Sequence, residues 1–255
     1  MHTDKIMENK TASRDSFSDY VRFFYNSLNK KKHASYSDWK WFRSKSSIAQ
    51  YNQTKNTIKM ALGVKKFNDA FEIGPGDGIW TELISDYCKK IDAVDLSEEM
   101  LRMAKHRLKN KNVNLNRGDF LKINIKKKYD LVYSIRCIEY LPDKERAIQK
   151  ISSISKKGTI VVIITKNSKF LKMRGLDRKL HSKQIDILDL KNKMENCGFE
   201  IKLICPAVFG KGFHFPIIRN ILSKVHNYIL KNGTSANNFF VKYFSESFLI
   251  AAQKK

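Results

Sequence analysis

Glu72-Ile73-Gly74-Pro75-Gly76-Asp77-Gly78 is the stretch on which the reading of this chain turns. A short apolar run at 70–73 leads into it, and residues with helical spacing at 79–88 follow. Three alternate glycines let the backbone turn sharply and come close to a ligand. The helix after such a turn points free N–H groups at whatever is bound there. In an open α/β sheet that place lies beyond the carboxyl ends of the strands, at the point where strand order reverses. The expected occupant is a nucleoside-bearing cofactor. Taken alone, the glycine turn would also suit a dinucleotide dehydrogenase.

Downstream, strands and helices alternate. Strands are expected at 91–95, 113–116, 130–135 and 159–165, with helices at 97–108 and 143–154. Ser97 is placed to cap its helix, with Glu98 and Glu99 in the first turn where the helix dipole favours them. The β-branched run at 159–165 suits a strand buried on both faces. Strand–helix alternation at this spacing means a parallel sheet with right-handed crossovers. A helix at 183–196 and strands at 199–204 and 247–252 complete the pattern. Upstream, Phe17, Tyr20, Val21, Phe24, Tyr25 and Leu28 share one helical face, and Ile48, Tyr51, Ile58 and Leu62 share another. Between these helices lies the aromatic, basic stretch Tyr36-Ser37-Asp38-Trp39-Lys40-Trp41-Phe42-Arg43.

Two further acidic positions accompany the turn. Asp95 closes the second strand, where a carboxylate can accept hydrogen bonds from both ribose hydroxyls. Asp119 and Phe120 follow the third strand, where an Asp can accept from an adenine amino group and a Phe can pack on the ring. The order and spacing of Glu72–Gly78, Asp95, Asp119-Phe120 and Tyr129-Asp130-Leu131-Val132-Tyr133-Ser134 resemble the successive motifs of class I S-adenosylmethionine-dependent methyltransferases. Glu139-Tyr140-Leu141-Pro142-Asp143 and Lys156-Lys157-Gly158-Thr159 resemble the small-molecule branch that includes quinone-biosynthesis methyltransferases. That branch often carries His where Tyr140 stands, and Pro-Gly-Gly where Lys157-Gly158 stands. The resemblance covers roughly residues 60–205 and the final strand.

It implies a Rossmann-like, doubly wound α/β fold with a mostly parallel seven-stranded sheet and an antiparallel last strand. It implies S-adenosylmethionine as cofactor, with Glu72 and Gly74 near the methionine amino group. Pro75, Gly76 and Gly78 form the turn that lets the cofactor approach. Asp95 and Leu96 bracket ribose and adenine, Asp119 and Phe120 hold the adenine, and Ser134 lines the methionine end. A sulfonium methyl is already activated, so no metal is needed; alignment and exclusion of water are the protein's part. A hydroxyl acceptor would add a general base, and none is assigned: His106 falls on an exposed helix, and His181 and His214 fall in loops after the core. The site after the fourth strand reads Ser134-Ile135-Arg136-Cys137, without the Asn/Asp-Pro-Pro-aromatic tetrad of adenine or glutamine amino-methylation and without the Pro-Cys of cytosine-C5 enzymes.

Charge and length set the remaining expectations. The 255 residues carry a net charge of +24, distributed as +9 over 1–68, +4 over 69–165 and +11 over 166–255. The excess at the two ends would attract nucleic acid, anionic lipid or phosphorylated substrates, or reflect a lysine-rich composition alone. The four cysteines form no C-x-x-C pair and are expected to be reduced core residues. The polar start carries no signal-like apolar run, and a cytoplasmic location is expected. The expected organisation is disorder over 1–13, a helical cap over 14–63, the cofactor-binding core over 64–205, an insertion over 206–243 and the last strand over 244–255. In the insertion, Pro216 can open a basic amphipathic helix bearing Ile221 and Val225, suited to a lid over an apolar or lipid-linked acceptor or to peripheral membrane contact. The leading expectation is a methyltransferase for a small-molecule acceptor. The alternatives are an RNA methyltransferase using residues 30–43 and a non-catalytic cofactor-binding homologue.

Overall fold

The computed structural model describes residues 17–28, 35–173, 175, 184–209, 224, 228 and 239–255. The expected disorder over 1–13, the loop histidines His181 and His214, and the amphipathic helix of the insertion with Pro216, Ile221 and Val225 lie outside the described residues.

Seven strands form one sheet in the order β3-β2-β1-β4-β5-β7-β6. They are β1 (Phe67–Ile73), β2 (Cys88–Asp95), β3 (Val113–Arg117), β4 (Tyr129–Ile135), β5 (Ser155–Lys166), β6 (Phe199–Phe209) and β7 (Ser245–Lys254). The ladders β1–β2, β1–β4, β2–β3 and β4–β5 are parallel, while β7 runs antiparallel between β5 and β6. The helices are α1 (Phe17–Ser27), α2 (Lys45–Leu62), α3 (Ile79–Ser85), α4 (Glu98–Arg107), α5 (Lys144–Ser153), α6 (Ser168–Met173) and α7 (Ile187–Asn196), with a last short helix at Phe239–Phe244. This is the doubly wound α/β sheet expected from the sequence, antiparallel strand included.

Side-chain alternation along the strands feeds two cores. Phe71, Ile73, Val132, Ile163 and Phe248 face one layer of helices; Ala70, Ile91, Leu131, Tyr133 and Ile164 face the other. Burial on both faces accounts for the near-continuous apolar runs of the central strands. The helices start where short polar side chains satisfy their free N–H groups. Ser97 accepts from Met100, Asp143 from Arg146 and Asp186 from Leu188. Helix α2 opens with a reciprocal Ser44–Ser47 capping box.

Three expected elements are corrected. The helix expected over 79–88 stops at Ser85, because Cys88 pairs with Phe67 and opens β2. The helix expected over 183–196 begins only at Ile187, because Ile185 forms a bridge with Asn167 and Asp186 caps the helix. The strand expected over 199–204 continues to Phe209, because 205–209 pair with the early residues of β7.

Candidate active site

The glycine turn joins β1 to α3 at the edge where β1 lies between β2 and β4. Neighbouring crossovers leave in opposite directions there, which opens a crevice. Gly74 donates its N–H to the Val94 carbonyl at 2.8 Å, tying the turn to the end of β2. Its φ is +71°, and a Cβ at this position would come within 2.1 Å of the Cys137 Sγ, so the turn admits glycine alone here. Gly76 also has positive φ, +57°, but a Cβ there would meet nothing within 4 Å. That position faces open space.

The space is a cleft open to solvent. The turn forms its floor with Gly74, Pro75, Gly76 and Asp77; Asp95 and Leu96 close one side, and Phe120 a second. Asp95 is fixed by two backbone donors: its Oδ2 accepts from Gly76 at 3.0 Å and its Oδ1 from Ser97 at 2.8 Å. Burial raises the Asp95 carboxyl, and the N–H groups of Ser97, Gly76 and Leu96 act against the rise. A carboxylate held in this way keeps lone pairs for a diol. Phe120 is buried, tilted against Phe71 at 6.0 Å, with the Lys150 ammonium over its ring at 5.3 Å.

Four residues expected at the site stand elsewhere. Glu72 is buried beneath the turn, and its Oε2 accepts from Thr81 Oγ1 at 2.6 Å and from the Tyr133 hydroxyl at 2.9 Å. Burial pushes its carboxyl up to about 7, with those two hydrogen bonds pulling the other way. Ser134 is also buried; its hydroxyl donates to the Ile73 carbonyl and accepts from the Ile138 N–H. Both brace the site from behind. Gly78 caps α3 and packs against Ala104 of α4. Asp119 borders a second recess beside the main one, together with Arg22, Leu96 and Lys122, and its Oδ1 accepts from the Leu121 N–H at 2.9 Å.

The cavity has a wall that sequence reasoning did not place. Val21 and Tyr25 of α1, and Tyr36, Lys40 and Trp41 from the π-helical turn and the residues before it, close over the glycine turn. Two contacts hold them down. The Asp77 Oδ2 accepts from the Ser37 N–H at 2.9 Å and also from the Ser37 hydroxyl, with the Arg107 guanidinium at 3.3 Å. The Asn26 Oδ1 accepts from the Ser97 hydroxyl at 2.7 Å. Trp41 packs edge-on against Trp80, which stacks on Tyr51. These contacts join segments far apart in sequence; the aromatic spacing of α1 and the stretch Tyr36–Arg43 marked the residues, but nothing local placed them over the glycine turn.

Across the cavity stands the loop after β4, with Arg136, Cys137 and Tyr140. Tyr140 lies edge-on to Tyr25 at 5.6 Å, and Tyr25 edge-on to Tyr36 at 6.0 Å. Burial raises all three phenols, so they remain protonated. Burial also pushes the Cys137 thiol well up, which leaves it neutral and a poor nucleophile. Arg136 Nε donates to Glu139 Oε1 at 3.2 Å, and its Nη1 lies 3.8 Å from Glu246 Oε2. Glu139 in turn accepts from Thr165 Oγ1 and the Lys166 N–H.

Comparison with known proteins agrees with this geometry. Residues 71–163 match the methyltransferase domain family. Nodulation protein S of Azorhizobium caulinodans is 28% identical over 102 residues, which is 39% of this chain and 49% of that protein. Malonyl-[acyl-carrier protein] O-methyltransferase 1 of Ilyobacter polytropus is 30% identical over 148 residues, 54% of this chain and 55% of that protein. The chain thus spans about half the length of these curated relatives. The crystal structure of the N-methyltransferase NodS from Bradyrhizobium japonicum, in complex with S-adenosyl-L-homocysteine, has the same fold: TM-score 0.62 at 13% identity, covering 90% of this chain and 98% of that one.

Proposed function

We propose, from the class I S-adenosylmethionine-dependent methyltransferase domain that this chain carries at residues 71–163, that the whole protein transfers the methyl group of S-adenosylmethionine to a small-molecule acceptor. The observation that carries the reading is the pairing of the Gly74–Gly76 turn with the Asp95 carboxylate across one cavity. The residues present fit the cofactor. At Gly76 there is room where a side chain would intrude, and Asp95 is pre-oriented by Gly76 and Ser97.

Asp95 would accept from the ribose hydroxyls. Leu96 and Phe120 would flank the adenine, with Asp119 toward its amino group from the adjoining recess. Gly74 and Pro75 would border the methionine part, while Glu72 and Ser134 brace the turn and the loop after β4. When bound, the cofactor supplies a sulfonium-activated methyl. The chain's own part is to align the acceptor and exclude water. The wall formed by Tyr25, Tyr36 and Trp41 narrows the site over the turn and would restrict both water and the acceptor there. A small acceptor is further supported by Trp41, which is 3% exposed and so offers no platform for nucleic-acid bases, and by Trp39, one face of which lies beneath the Arg43 guanidinium at 5.3 Å.

Calorimetry on the full chain tests the reading. S-adenosylmethionine and S-adenosylhomocysteine should bind and NAD should not. Asp95→Ala should weaken binding by about 1–3 kcal/mol, as buried hydroxyls lose their acceptor. Absence of S-adenosylhomocysteine binding to the folded protein would sink it. Incubation with methyl-labelled cofactor and fractionated small-molecule extracts then identifies the acceptor.

A further inference from the structure

Arg136 is the only non-glycine residue with positive φ among the described residues, at 62°. An L side chain adopts that conformation only where the surroundings enforce it, and such positions gather at functional sites. The enforcement is visible: the Arg136 N–H donates to the Ile164 carbonyl at 2.7 Å, and two buried carboxylates, Glu139 and Glu246, flank the guanidinium. The side chain is 10% exposed, and that exposure opens into the cavity.

A guanidinium offers five N–H donors in a planar fork. Within the described residues, Nε makes one hydrogen bond, to Glu139, while the approach of Nη1 to Glu246 at 3.8 Å is an ion pair too long for a hydrogen bond. Most of the fork is therefore left with donors and no acceptors at the wall of a site. These donors face the open cavity and not the protein interior, and a planar oxyanion entering it can take them in pairs. The carboxylates of Glu139 and Glu246 are matched by two cations, Arg136 itself and Lys166, whose Nζ lies 4.0 Å from Glu246 Oε1, so the cluster behind the fork carries no net charge. Tyr140, Tyr25 and Tyr36 are protonated phenols able to donate, and Arg22 and Lys40 stand on the same cavity. Of the two acidic side chains on that cavity, Asp77 is matched by Arg107, and Asp95 is held by Gly76 and Ser97 on the side where the methyltransferase reading puts the ribose.

We propose that Arg136 is an acceptor-binding residue: its guanidinium fork, held in a left-handed backbone conformation by Glu139 and Glu246, takes an oxyanion group, carboxylate or phosphate, carried by the acceptor. The inference rests on the methyltransferase reading, since it assigns the space beside the cofactor. It narrows the acceptor class to anionic molecules, and the aromatic wall favours a ring or other apolar body next to the anion.

The test uses the full chain saturated with S-adenosylhomocysteine, at fixed ionic strength, titrated with benzoate, phenyl phosphate and the neutral isostere benzamide. Benzoate or phenyl phosphate should bind at one site at least about tenfold more tightly than benzamide, as expected where a charge-assisted bidentate pair is lost. Arg136→Lys keeps the charge and removes the fork; it should cut that binding about tenfold while S-adenosylhomocysteine affinity stays within about twofold. Should that variant fail to fold, the wild-type protein decides: phenylglyoxal labelling of Arg136, followed by mass spectrometry, should slow severalfold when the oxyanion is bound. Whichever oxyanion binds more tightly identifies the group. If S-adenosylhomocysteine binds but neither oxyanion outdoes benzamide, or Arg136 labels at the same rate with and without it, this inference fails alone. If S-adenosylhomocysteine does not bind, the methyltransferase reading fails with it.

Discussion

Asp77 takes two hydrogen bonds from Ser37, a residue 40 positions earlier in the chain, and thereby fastens the N-terminal cap to the glycine turn. The carboxylate is buried and its charge is matched by Arg107 at 3.3 Å. Asn26 makes a second tie, to Ser97, beside the other cofactor motif. The cap is therefore anchored at the two places where the cofactor is expected to lie.

Asp77→Ala should loosen the cap without unfolding the sheet. The Ser37 N–H and hydroxyl and the Arg107 guanidinium would lose a shared acceptor, at a cost of about 1–3 kcal/mol. Amide exchange should accelerate in α1 and over 38–42 while the central strands stay protected. Affinity for S-adenosylhomocysteine should fall in parallel. Unchanged exchange in the cap would mean that packing of Trp41 on Trp80, and not this contact, holds it closed.

Gly74→Ala tests the close approach of the turn to the loop after β4. Two penalties are expected, one from φ at +71° and one from the 2.1 Å encounter with the Cys137 Sγ. Together they should destabilise the protein by about 2–4 kcal/mol, a range set by backbone strain and overpacking. Cys137→Gly in the same chain removes the steric part at a cost of its own, so the double variant should be less destabilised than the sum of the two single variants. A double variant as stable as Cys137→Gly alone would show that the positive φ costs little here; plain additivity would show that the clash is relieved by backbone movement.

The parts of this architecture legible in the sequence are those written in consecutive residues. The glycine turn, Asp95 at a strand end and Ser97 as a cap were readable because local geometry demands those residue types. The start of β2 at Cys88 was not, because residues 86–88 continue a helical apolar spacing and only pairing with Phe67 ends it. Glu72 was placed by motif on the cofactor, yet its side chain is drawn beneath the turn by Thr81 and Tyr133, one nine and the other 61 residues away. The cap over the cavity and the exposed fork of Arg136 depend on contacts across the chain, which periodicity does not record.

The basic termini give a prediction about nucleic acid. With Trp41 buried and one face of Trp39 taken by Arg43, attraction of RNA should be chiefly a matter of charge. Binding of any RNA by the full chain should then fall by about a hundredfold or more between 50 and 200 mM salt, and equally for different sequences, as counterion release dictates. A filter-binding series would measure both. A complex that survives physiological salt and prefers one sequence would make RNA the better acceptor.

Glu72 gives a prediction about pH. Its carboxyl titrates at about 7 in the folded protein against an ordinary value of 4.5, because burial disfavours the charged form more than Thr81 and Tyr133 favour it. Between those values the folded state holds a proton that the unfolded chain has released. The stability this group contributes is thus greatest below about pH 4.5, declines as pH rises toward 7, and is level above. Glu72→Gln removes the titration and keeps an oxygen for Thr81 and Tyr133. At pH 8 the variant should be more stable than the wild type, by at most about 3 kcal/mol if the whole shift is recovered. Near pH 4.5 the advantage should vanish. Denaturant unfolding at the two pH values measures the difference. The same variant locates the side chain: a carboxylate buried under the turn leaves S-adenosylhomocysteine affinity within about threefold of wild type at pH 8, less than the roughly 1–3 kcal/mol of a lost direct contact. A loss of tenfold or more in a protein that still folds would put Glu72 on the methionine amino group, as the family resemblance implies.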